Sequence, residues 1–299
     1  MSFRFKFLKR LSLLACVFSA SICFSQKAIP SHDDIRIMTL APHLTEIVAA
    51  IGATDQLVGV SAYSNYPAEV KNIPIIGDMR TLDLEKIQKL RPTIILLWKT
   101  GTPETSRVAL HKIFSKTSTQ LIESDAHSLT EIASEIERLG IILNHTEKAQ
   151  AVAQKMRDSI NKLSQENSHK APIRVFFQVW SNPLMTVNQK HFIGDMIHIC
   201  GGELLFAKAT LLTPVVSRES VVLENPEVIL SSADRERSSN PDMDAWKKFS
   251  KLDVNRLDGY LQVNGDWLTR GTPRTLLATQ QICDFLDVIR ARKVRLLQP

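Results

Sequence analysis

The chain has 299 residues, of which 44% are hydrophobic and 23% are charged, and its formal net charge is +6. Four of its cations lie in the N-terminal export signal described below, so the 274 residues after residue 25 carry a net charge of only +2. So small a charge gives little reason to expect a nucleic-acid partner. A chain of this length is too large for one ordinary hydrophobic core, so two lobes are predicted.

The first 25 residues have the pattern of a secretory signal peptide. Four cations precede an apolar run from Leu11 to Phe24, and Cys23-Phe24-Ser25 is an acceptable cleavage site. An uncleaved anchor is the rival interpretation, but the run is shorter than the ~20 residues that span a bilayer. A lipoprotein modified at Cys16 is a second alternative, because Leu13-Leu14-Ala15-Cys16 partly fits a lipid-attachment site. The sequence therefore predicts an exported protein.

The predicted elements of the first half alternate short β-branched strands with amphipathic helices. The strands are predicted at residues 35–40, 57–61, 94–98 and 120–122, and the helices at residues 44–51, 83–90, 104–114 and 128–139. Such alternation is typical of an α/β fold with a parallel sheet.

A long helix is predicted next, at residues 146–165, because apolar side chains recur at helical spacing with no Gly or Pro between them. The alternation then resumes, with strands predicted at 173–179, 228–231 and 260–263 and helices at 191–199, 217–223 and 272–292. One long helix between two α/β blocks predicts two lobes on a stiff connector.

The cysteines divide between the signal and the rest of the chain. Cys16 and Cys23 lie in the signal, which leaves Cys200 and Cys283. Two cysteines in an exported chain indicate one disulfide, with a pair of buried free thiols as the alternative.

Short catalytic motifs are missing from the sequence. There is no nucleophile elbow, no zincin motif, no phosphate-binding loop, no dinucleotide fingerprint and no C-x-x-C. The eight histidines do not fall into metal-ligand spacing, so His191 and His198 are predicted to be ordinary helix residues. The sequence therefore predicts neither a catalytic nor a metal site.

Aromatic and polar side chains instead gather at the ends of predicted strands. In open α/β sheets these ends face the ligand, and aromatic walls with a few polar groups are typical of small-molecule sites. The sequence therefore predicts a binding cleft, formed by Tyr63, Tyr66, Trp98, Trp180, Asp266, Trp267 and Arg270.

Several segments, taken in order, resemble one group of proteins. They include "RIMTLAPHLTEIVAAIGA", "LVGVSAYSNYPAEV", "LDLEKIQKLRPTIILLWKTGTPE", "RVFFQVWSNP", "CGGELLF", "VSRESVVLENPEVIL" and "GDWLTRGTPRTLLATQQICDFL". Together, from Arg36 to Leu286, they resemble the periplasmic substrate-binding proteins of ABC importers that have a helical backbone. Within that group the chain is most similar to the cobalamin (vitamin B12)-binding branch, through "SAYSNYP", Trp98, "VSRE" and Asp266-Trp267.

The resemblance implies a fold and a function. It implies an α/β lobe at residues 26–145, a connecting helix at 146–168 and a second α/β lobe at 169–299. The expected protein is a periplasmic monomer that holds a corrinoid between its lobes and delivers it to an ABC importer permease and its ATPase. It is not expected to be an enzyme or to carry a cofactor. A disulfide between Cys200 and Cys283 is implied as well.

The resemblance also implies roles for individual residues. Tyr63, Trp98, Asp266 and Trp267 would line the corrinoid site, and the remaining candidates for contact with the ligand are Trp180, Arg270 and His43. Two acids, Glu104 and Glu219, match those with which the family docks on its permease.

Two alternatives remain open at this stage. The cobalamin branch has a Trp shortly before "SRE", where this chain has Thr213-Pro214, so a cobinamide, haem or a metal–siderophore is an alternative ligand. The other alternative is a secreted α/β enzyme, with Asp266 and Arg270, or Asp78 and Arg80, as its acid–base pair.

Overall fold

Two parallel four-stranded sheets form the framework of the protein. The structure, a computed structural model, describes residues 35–78, 80–233 and 241–296. The predicted signal peptide at residues 1–25, with Cys16, lies outside the described residues.

The first sheet consists of β1 (Ile37–Thr39), β2 (Leu57–Val60), β3 (Ile94–Trp98) and β4 (Gln120–Ser124) in the order β2-β1-β3-β4. The helices of this lobe are α1 (Pro42–Ala50), α2 (Leu84–Lys89), α3 (Glu104–Phe114) and α4 (Leu129–Ile142). Helices cover both faces of a parallel sheet, and so its strands are continuous apolar runs. In β3, residues 94–97 are all buried, and the strand becomes partly exposed only at Trp98.

The second sheet consists of β5 (Ile173–Gln178), β8 (Gly202–Leu204), β9 (Val228–Ala233) and β10 (Tyr260–Asn264) in the order β10-β9-β5-β8. Between β5 and β8 the chain forms a small antiparallel hairpin of β6 (Trp180–Ser181) and β7 (Leu184–Met185). The helices are α6 (Phe192–Ile199), α7 (Arg218–Glu224), α8 (Pro241–Lys247), α9 (Asp253–Leu257), α10 (Gly265–Thr269) and α11 (Thr275–Leu296). The second lobe thus repeats the parallel α/β plan of the first.

The two sheets are joined through the 22-residue helix α5 (Thr146–Asn167). It packs against α4 of the first lobe and against α6 and α11 of the second. Its buried stripe, Ala149, Ala153, Met156, Ile160 and Leu163, belongs to a hydrophobic core that continues through both lobes. The predicted fold class, two parallel-type α/β lobes joined by one long helix, is confirmed, whereas the residue bounds of the lobes stay predictions.

A disulfide fastens the second lobe near this connector. Cys200, at the end of α6, is bonded to Cys283 of α11, and both residues are buried. Their Cα atoms are 4.6 Å apart, within the normal range for a disulfide. The two cysteines are therefore not the free thiols of the alternative interpretation.

Within the residues that the structure describes, we find no helix with the length and apolarity needed to cross a membrane.

Candidate ligand-binding cleft

A cavity of about 380 Å³ lies between the lobes, where the strands of the first sheet end. The first lobe lines it with residues from the carboxyl ends of β1, β3 and β4 and from α1 and α4, and the second lobe with the start of α6, one loop and the end of α10. The lining residues are Ala41, Pro42, His43, Ile47, Trp98, Thr100, Ser124, Ala126, His127, Ile132, Glu135, His191, Phe192, Leu212, Thr269, Arg270 and Gly271. Open parallel sheets bind their ligands at this position.

Trp98, the last residue of β3, is the largest side chain of the lining. The chain turns directly after it, because the amide of Thr102 donates to the carbonyl oxygen of Trp98 at 2.7 Å. Gly101 is needed in this turn, since a Cβ there would lie 1.8 Å from Cε3 of the indole. The glycine thus allows the indole to pack on the backbone of its own turn and to stand in the cleft wall. Its contact with a ligand stays a prediction.

His43 meets Trp98 at the start of α1. The two rings are arranged edge to face, with centroids 5.3 Å apart and an interplanar angle of 85°. Burial, together with the nearby positive charge of Arg270, lowers the pKa of His43 to about 4. At neutral pH the cleft therefore contains an uncharged imidazole at this point, which accepts or donates a hydrogen bond without adding charge.

The two lobes are joined beside the cavity by a buried ion cluster. Glu46 of α1 is 3% exposed and accepts hydrogen bonds from Nη1 of Arg270 at 2.8 Å and Nε of Arg274 at 2.9 Å. Nη2 of Arg274 bonds the same carboxylate, so this pair is bidentate. Both arginines belong to the second lobe, with side chains 12% and 14% exposed. We call Glu46, Arg270 and Arg274 the interlobe ion cluster.

Arg270 also fixes the neighbouring candidates. Its Nη1 donates to Asn65 Oδ1 at 2.8 Å and its Nη2 to the carbonyl oxygen of Tyr63 at 3.1 Å. Nη2 is also 2.9 Å from a carboxylate oxygen of Asp266. With Glu46, four acceptors thus lie within hydrogen-bond distance of the two Nη groups, two at each. Arg270 lines the cavity, but its Nη1 and Nη2 groups contact acceptors of the protein.

The other predicted ligand residues lie outside the lining of this cavity. Tyr63 is 78% exposed and sits at the rim, where its backbone contacts Arg270. Asp266 and Trp267 lie on the short helix α10 rather than in a loop, and Trp267 packs against the main core. Trp180 begins β6 and is 63% exposed, with its indole N–H bonded to its own turn. The structure thus brings together Trp98, His43 and Arg270, and the ligand roles of the others stay predictions.

Two further histidines line the cavity, although the sequence predicted His191 to be an ordinary helix residue. His191 caps α6, and its Nδ1 accepts the amide N–H of Ile193 at 3.1 Å. Burial, followed by the nearby His127, lowers the pKa of His191 to about 4. His127 itself lies 3.4 Å from Asp125. The only sequence signal was a histidine directly before an apolar helix, which is also a common cap.

The charged side chains of the lining, Arg270 and Glu135, are both paired. Arg270 belongs to the interlobe ion cluster, and Glu135 is bonded by Arg138 at 2.7 Å. Among the described residues, no group of three or more His, Cys, Asp or Glu side chains is placed to hold a metal ion. With its charges paired and its walls built from Ile47, Trp98 and other apolar side chains, the cavity suits a ligand with little net charge.

The two acids predicted to dock on a permease stand one on each lobe. Glu104 begins α3, is exposed, and pairs with Arg107 one turn later. Glu219 lies exposed in the first turn of α7. An acid at a helix N-terminus is favoured by the helix dipole alone, so this position requires no partner. Docking through these acids stays a prediction.

Comparison with known proteins identifies the family. The family model described as periplasmic binding protein matches residues 37–246. The chain belongs to the periplasmic binding protein family. Among curated relatives, it is 34% identical over 278 residues to the vitamin B12-binding protein of Vibrio cholerae, covering 92% of this chain and 97% of that protein. It is 32% identical over 274 residues to the vitamin B12-binding protein of Pectobacterium atrosepticum, covering 90% and 93%.

Solved structures of this family share the fold. The periplasmic vitamin B12 binding protein BtuF of Vibrio cholerae superposes with a TM-score of 0.75 at 34% identity, covering 85% of this chain and 97% of that one. The periplasmic heme-binding protein RhuT of Roseiflexus sp. RS-1 superposes with a TM-score of 0.73 at 23% identity, covering 85% and 99%. The second likeness concerns the fold alone. The relatives as a group are substrate-binding proteins of the periplasm.

Proposed function

We propose that this periplasmic binding protein captures a corrinoid, vitamin B12 or a close relative, between its lobes and delivers it to the permease of an ABC importer. The observation that carries the proposal is the similarity to vitamin B12-binding proteins at 34% identity over 92% of the chain. The interlobe cavity gives this ligand a place, because it opens at the strand ends and has a mainly apolar wall.

A corrin is a wide, flat, largely apolar plate fringed with amides. An indole such as Trp98 buries a large area against such a face, and at about 25 cal/mol per Å² this contact contributes a few kcal/mol. The cavity of about 380 Å³ holds only part of so large a ligand. The exposed ring of Tyr63 at the rim is therefore proposed to cover a part that extends beyond it.

The charge of the cleft favours a corrinoid over the alternative ligand haem. Haem carries two carboxylates, which need cations with free donors. In the described part of the cavity the cationic side chain is Arg270, and its Nη hydrogens already bind Glu46, Asn65, Tyr63 and Asp266. The amides of a corrinoid are neutral and therefore need no cation in the cleft.

Delivery is proposed to use Glu104 and Glu219, one acid on each lobe, against basic residues of the permease. Charges at the rim of such a contact set orientation and encounter rate more than affinity. We further propose that the protein is exported by its signal peptide and acts in the periplasm as a monomer. The importer hydrolyses ATP, and this chain catalyses no reaction.

The candidate acid–base pairs of an enzyme have other uses in the structure. Asp266 forms an ion pair with Arg270, which belongs to the interlobe ion cluster. Asp78 accepts the amides of Arg80 and Thr81 at 2.8 Å, the pattern of a side chain that closes its own turn. These contacts support a binding protein rather than an enzyme.

The test is a titration of the mature protein, without residues 1–25, with cyanocobalamin, dicyanocobinamide and haem. We expect a shift in corrinoid absorbance, binding of one corrinoid per chain, and no comparable binding of haem. Absence of heat and of a spectral shift at micromolar cyanocobalamin would overturn the proposal. Binding of haem with a tyrosinate-to-iron band, abolished by Tyr63→Phe or Tyr66→Phe, would replace it with the haem alternative.

A further inference from the structure

His191, which directly precedes α6 in the second lobe, is a polar residue of the cavity lining. Its backbone is extended, with φ −86° and ψ 141°. Its Nδ1 accepts the amide N–H of Ile193 at 3.1 Å, so one ring nitrogen is committed to the helix. The ring stacks on Phe192, which also lines the cavity, with centroids 4.5 Å apart and an interplanar angle of 29°. The imidazole is therefore held in one orientation.

The cap determines which nitrogen carries the proton. A nitrogen that accepts a hydrogen bond must present its lone pair, so the proton of the neutral ring is on Nε2. The pKa of His191 is lowered to about 4 by burial and by His127, which keeps the ring neutral at physiological pH. Nε2 is thus an uncharged N–H donor, and it has no hydrogen-bond partner among the described residues.

The surroundings of this donor determine what it can recognise. The ring lines the cavity together with Phe192 and Leu212, and His127 and Glu135 belong to the same lining. A ligand that displaces water from this N–H must supply an acceptor in its place, because a donor left without an acceptor inside the complex is costly. An uncharged donor suits an uncharged acceptor, and the cations near the cleft are bound to carboxylates of the protein. A neutral carbonyl oxygen fits this position better than a carboxylate, whose charge would be buried here without a cation of its own among the described lining residues.

We propose that the Nε2–H of His191 is the hydrogen-bond donor with which the second lobe recognises a side-chain amide carbonyl at the edge of the corrinoid. The inference rests on the proposed function, since it names a contact of the same ligand in the same cleft. It adds a specificity: the lobe distinguishes corrinoids that carry amides from those in which the amides are carboxylic acids.

His191→Asn and His191→Ala separate this contact from the capping role. In His191→Asn, the amide oxygen takes the place of Nδ1 and keeps the cap, because Asn is a favoured N-cap residue, but the Nε2 donor is lost. His191→Ala loses both. We expect His191→Asn to keep the unfolding temperature of the wild type and to bind cyanocobalamin about tenfold to a hundredfold more weakly. His191→Ala should show the same loss of affinity and a lower unfolding temperature.

Two comparisons complete the test. Dicyanocobyrinic acid, in which carboxylic acids replace the amides, should bind the wild type more weakly than dicyanocobinamide does, since both lack the nucleotide, and the ratio of the two affinities should be smaller in His191→Asn. The wild-type affinity for cyanocobalamin should be constant between pH 6 and pH 8, because a neutral donor is used throughout this range.

Each adverse outcome has a distinct meaning. If His191→Asn binds cyanocobalamin as the wild type does, while His191→Ala loses only stability, His191 is a helix cap and the inference is wrong. His43 and His127 line the same cavity, so the pH dependence is compared between the wild type and His191→Asn. A wild-type affinity that rises as the pH falls from 8 to 6, with this rise lost in His191→Asn, would show a cationic imidazole at His191 and also overturn the inference. If the wild type fails to bind any corrinoid, the proposed function itself is wrong, and the inference fails with it.

Discussion

Replacement of Glu46 by Gln tests whether the interlobe ion cluster stabilises the native fold. The substitution preserves the shape of the side chain and removes its charge. Among the contacts described, it leaves Arg274 without a carboxylate partner and leaves Asp266 as the one carboxylate beside Arg270. Both guanidinium groups remain mostly buried, at 12% and 14% exposure, so water replaces the lost partner poorly.

The expected loss follows from this burial. Removing one partner of a buried ion pair costs about 3–5 kcal/mol, because an uncompensated charge stays behind. The lower end applies here, since Arg270 keeps one carboxylate and Gln still offers an acceptor. We therefore expect the free energy of unfolding to fall by about 3 kcal/mol, equivalent to a decrease in Tm of about 6–12 °C for a chain of this size.

Urea denaturation with the disulfide intact measures the loss, with Glu104→Gln as the matched control. Glu104 also pairs with an arginine, but it is exposed, so its removal should cost less than about 1 kcal/mol. In the double variant Glu46→Gln/Arg274→Gln the losses should not add, because the two residues share one interaction. If Glu46→Gln proved no more destabilising than the control, or if the losses were additive, the cluster would not support the fold as argued.

The remaining predictions concern the cleft, the disulfide and the histidines. Trp98→Ala should weaken cyanocobalamin binding by about 2 kcal/mol, about thirtyfold, because an apolar ring contact is lost. Calorimetry measures this affinity, and an unchanged value would contradict the contact. Glu104→Ala should leave that affinity unchanged and weaken binding to permease-containing vesicles; the reverse result would refute docking through this acid. Cys200→Ser should lower the free energy of unfolding by about 4 kcal/mol on the chain-entropy account, since the bond joins residues 83 apart, and reduced wild type in urea is the control. Stability should also fall between pH 6.5 and pH 5, because the pKa values of His43 and His191 are lowered from 6.5 to about 4 in the folded chain and the unfolded chain therefore binds protons first. His43→Gln/His191→Asn should reduce the dependence of stability on pH, and an unchanged dependence would contradict the lowered pKa values of the two histidines.

Elements with a clear apolar period were predictable from the sequence. The strand and helix predicted at residues 94–98 and 104–114 lie at those residues as β3 and α3. The connecting helix, predicted at residues 146–165, ends at Asn167, two residues beyond the predicted end. Long runs succeed because their burial pattern repeats over several turns and no other packing of the same side chains is as favourable.

Short elements were not predicted, for a physical reason. The helices α9 and α10 have five residues each, less than two turns, which is too short for a period to be recognised. The hairpin of β6 and β7 has two residues in each strand. Such elements depend on their surroundings, so Trp180, predicted at the end of a strand, begins a hairpin instead, and Asp266 and Trp267, predicted in a loop, lie on α10.

Residues of the cleft were predictable where they follow long strands. Trp98 was predictable because β3 ends at it, and His43 because it begins α1. Glu46 was not, because Arg270 and Arg274 lie 224 and 228 residues away and nothing in the local sequence points to them. His191 was missed since its distinguishing feature, a place in the cavity lining, depends on first-lobe residues that are distant in the sequence.

The same long-range pairing decides which ligand the cleft suits. Arg270 was predicted from the sequence to contact the ligand, and an arginine in a cleft normally favours a carboxylate or phosphate. In the folded chain its guanidinium is bonded to Glu46 and Asp266, so the cation that the sequence offers is neutralised by acids from both lobes. What remains for the ligand is an indole wall and neutral imidazoles. An uncharged, amide-fringed ligand fits these groups better than an anion, and this preference results from contacts that form only when the two lobes meet.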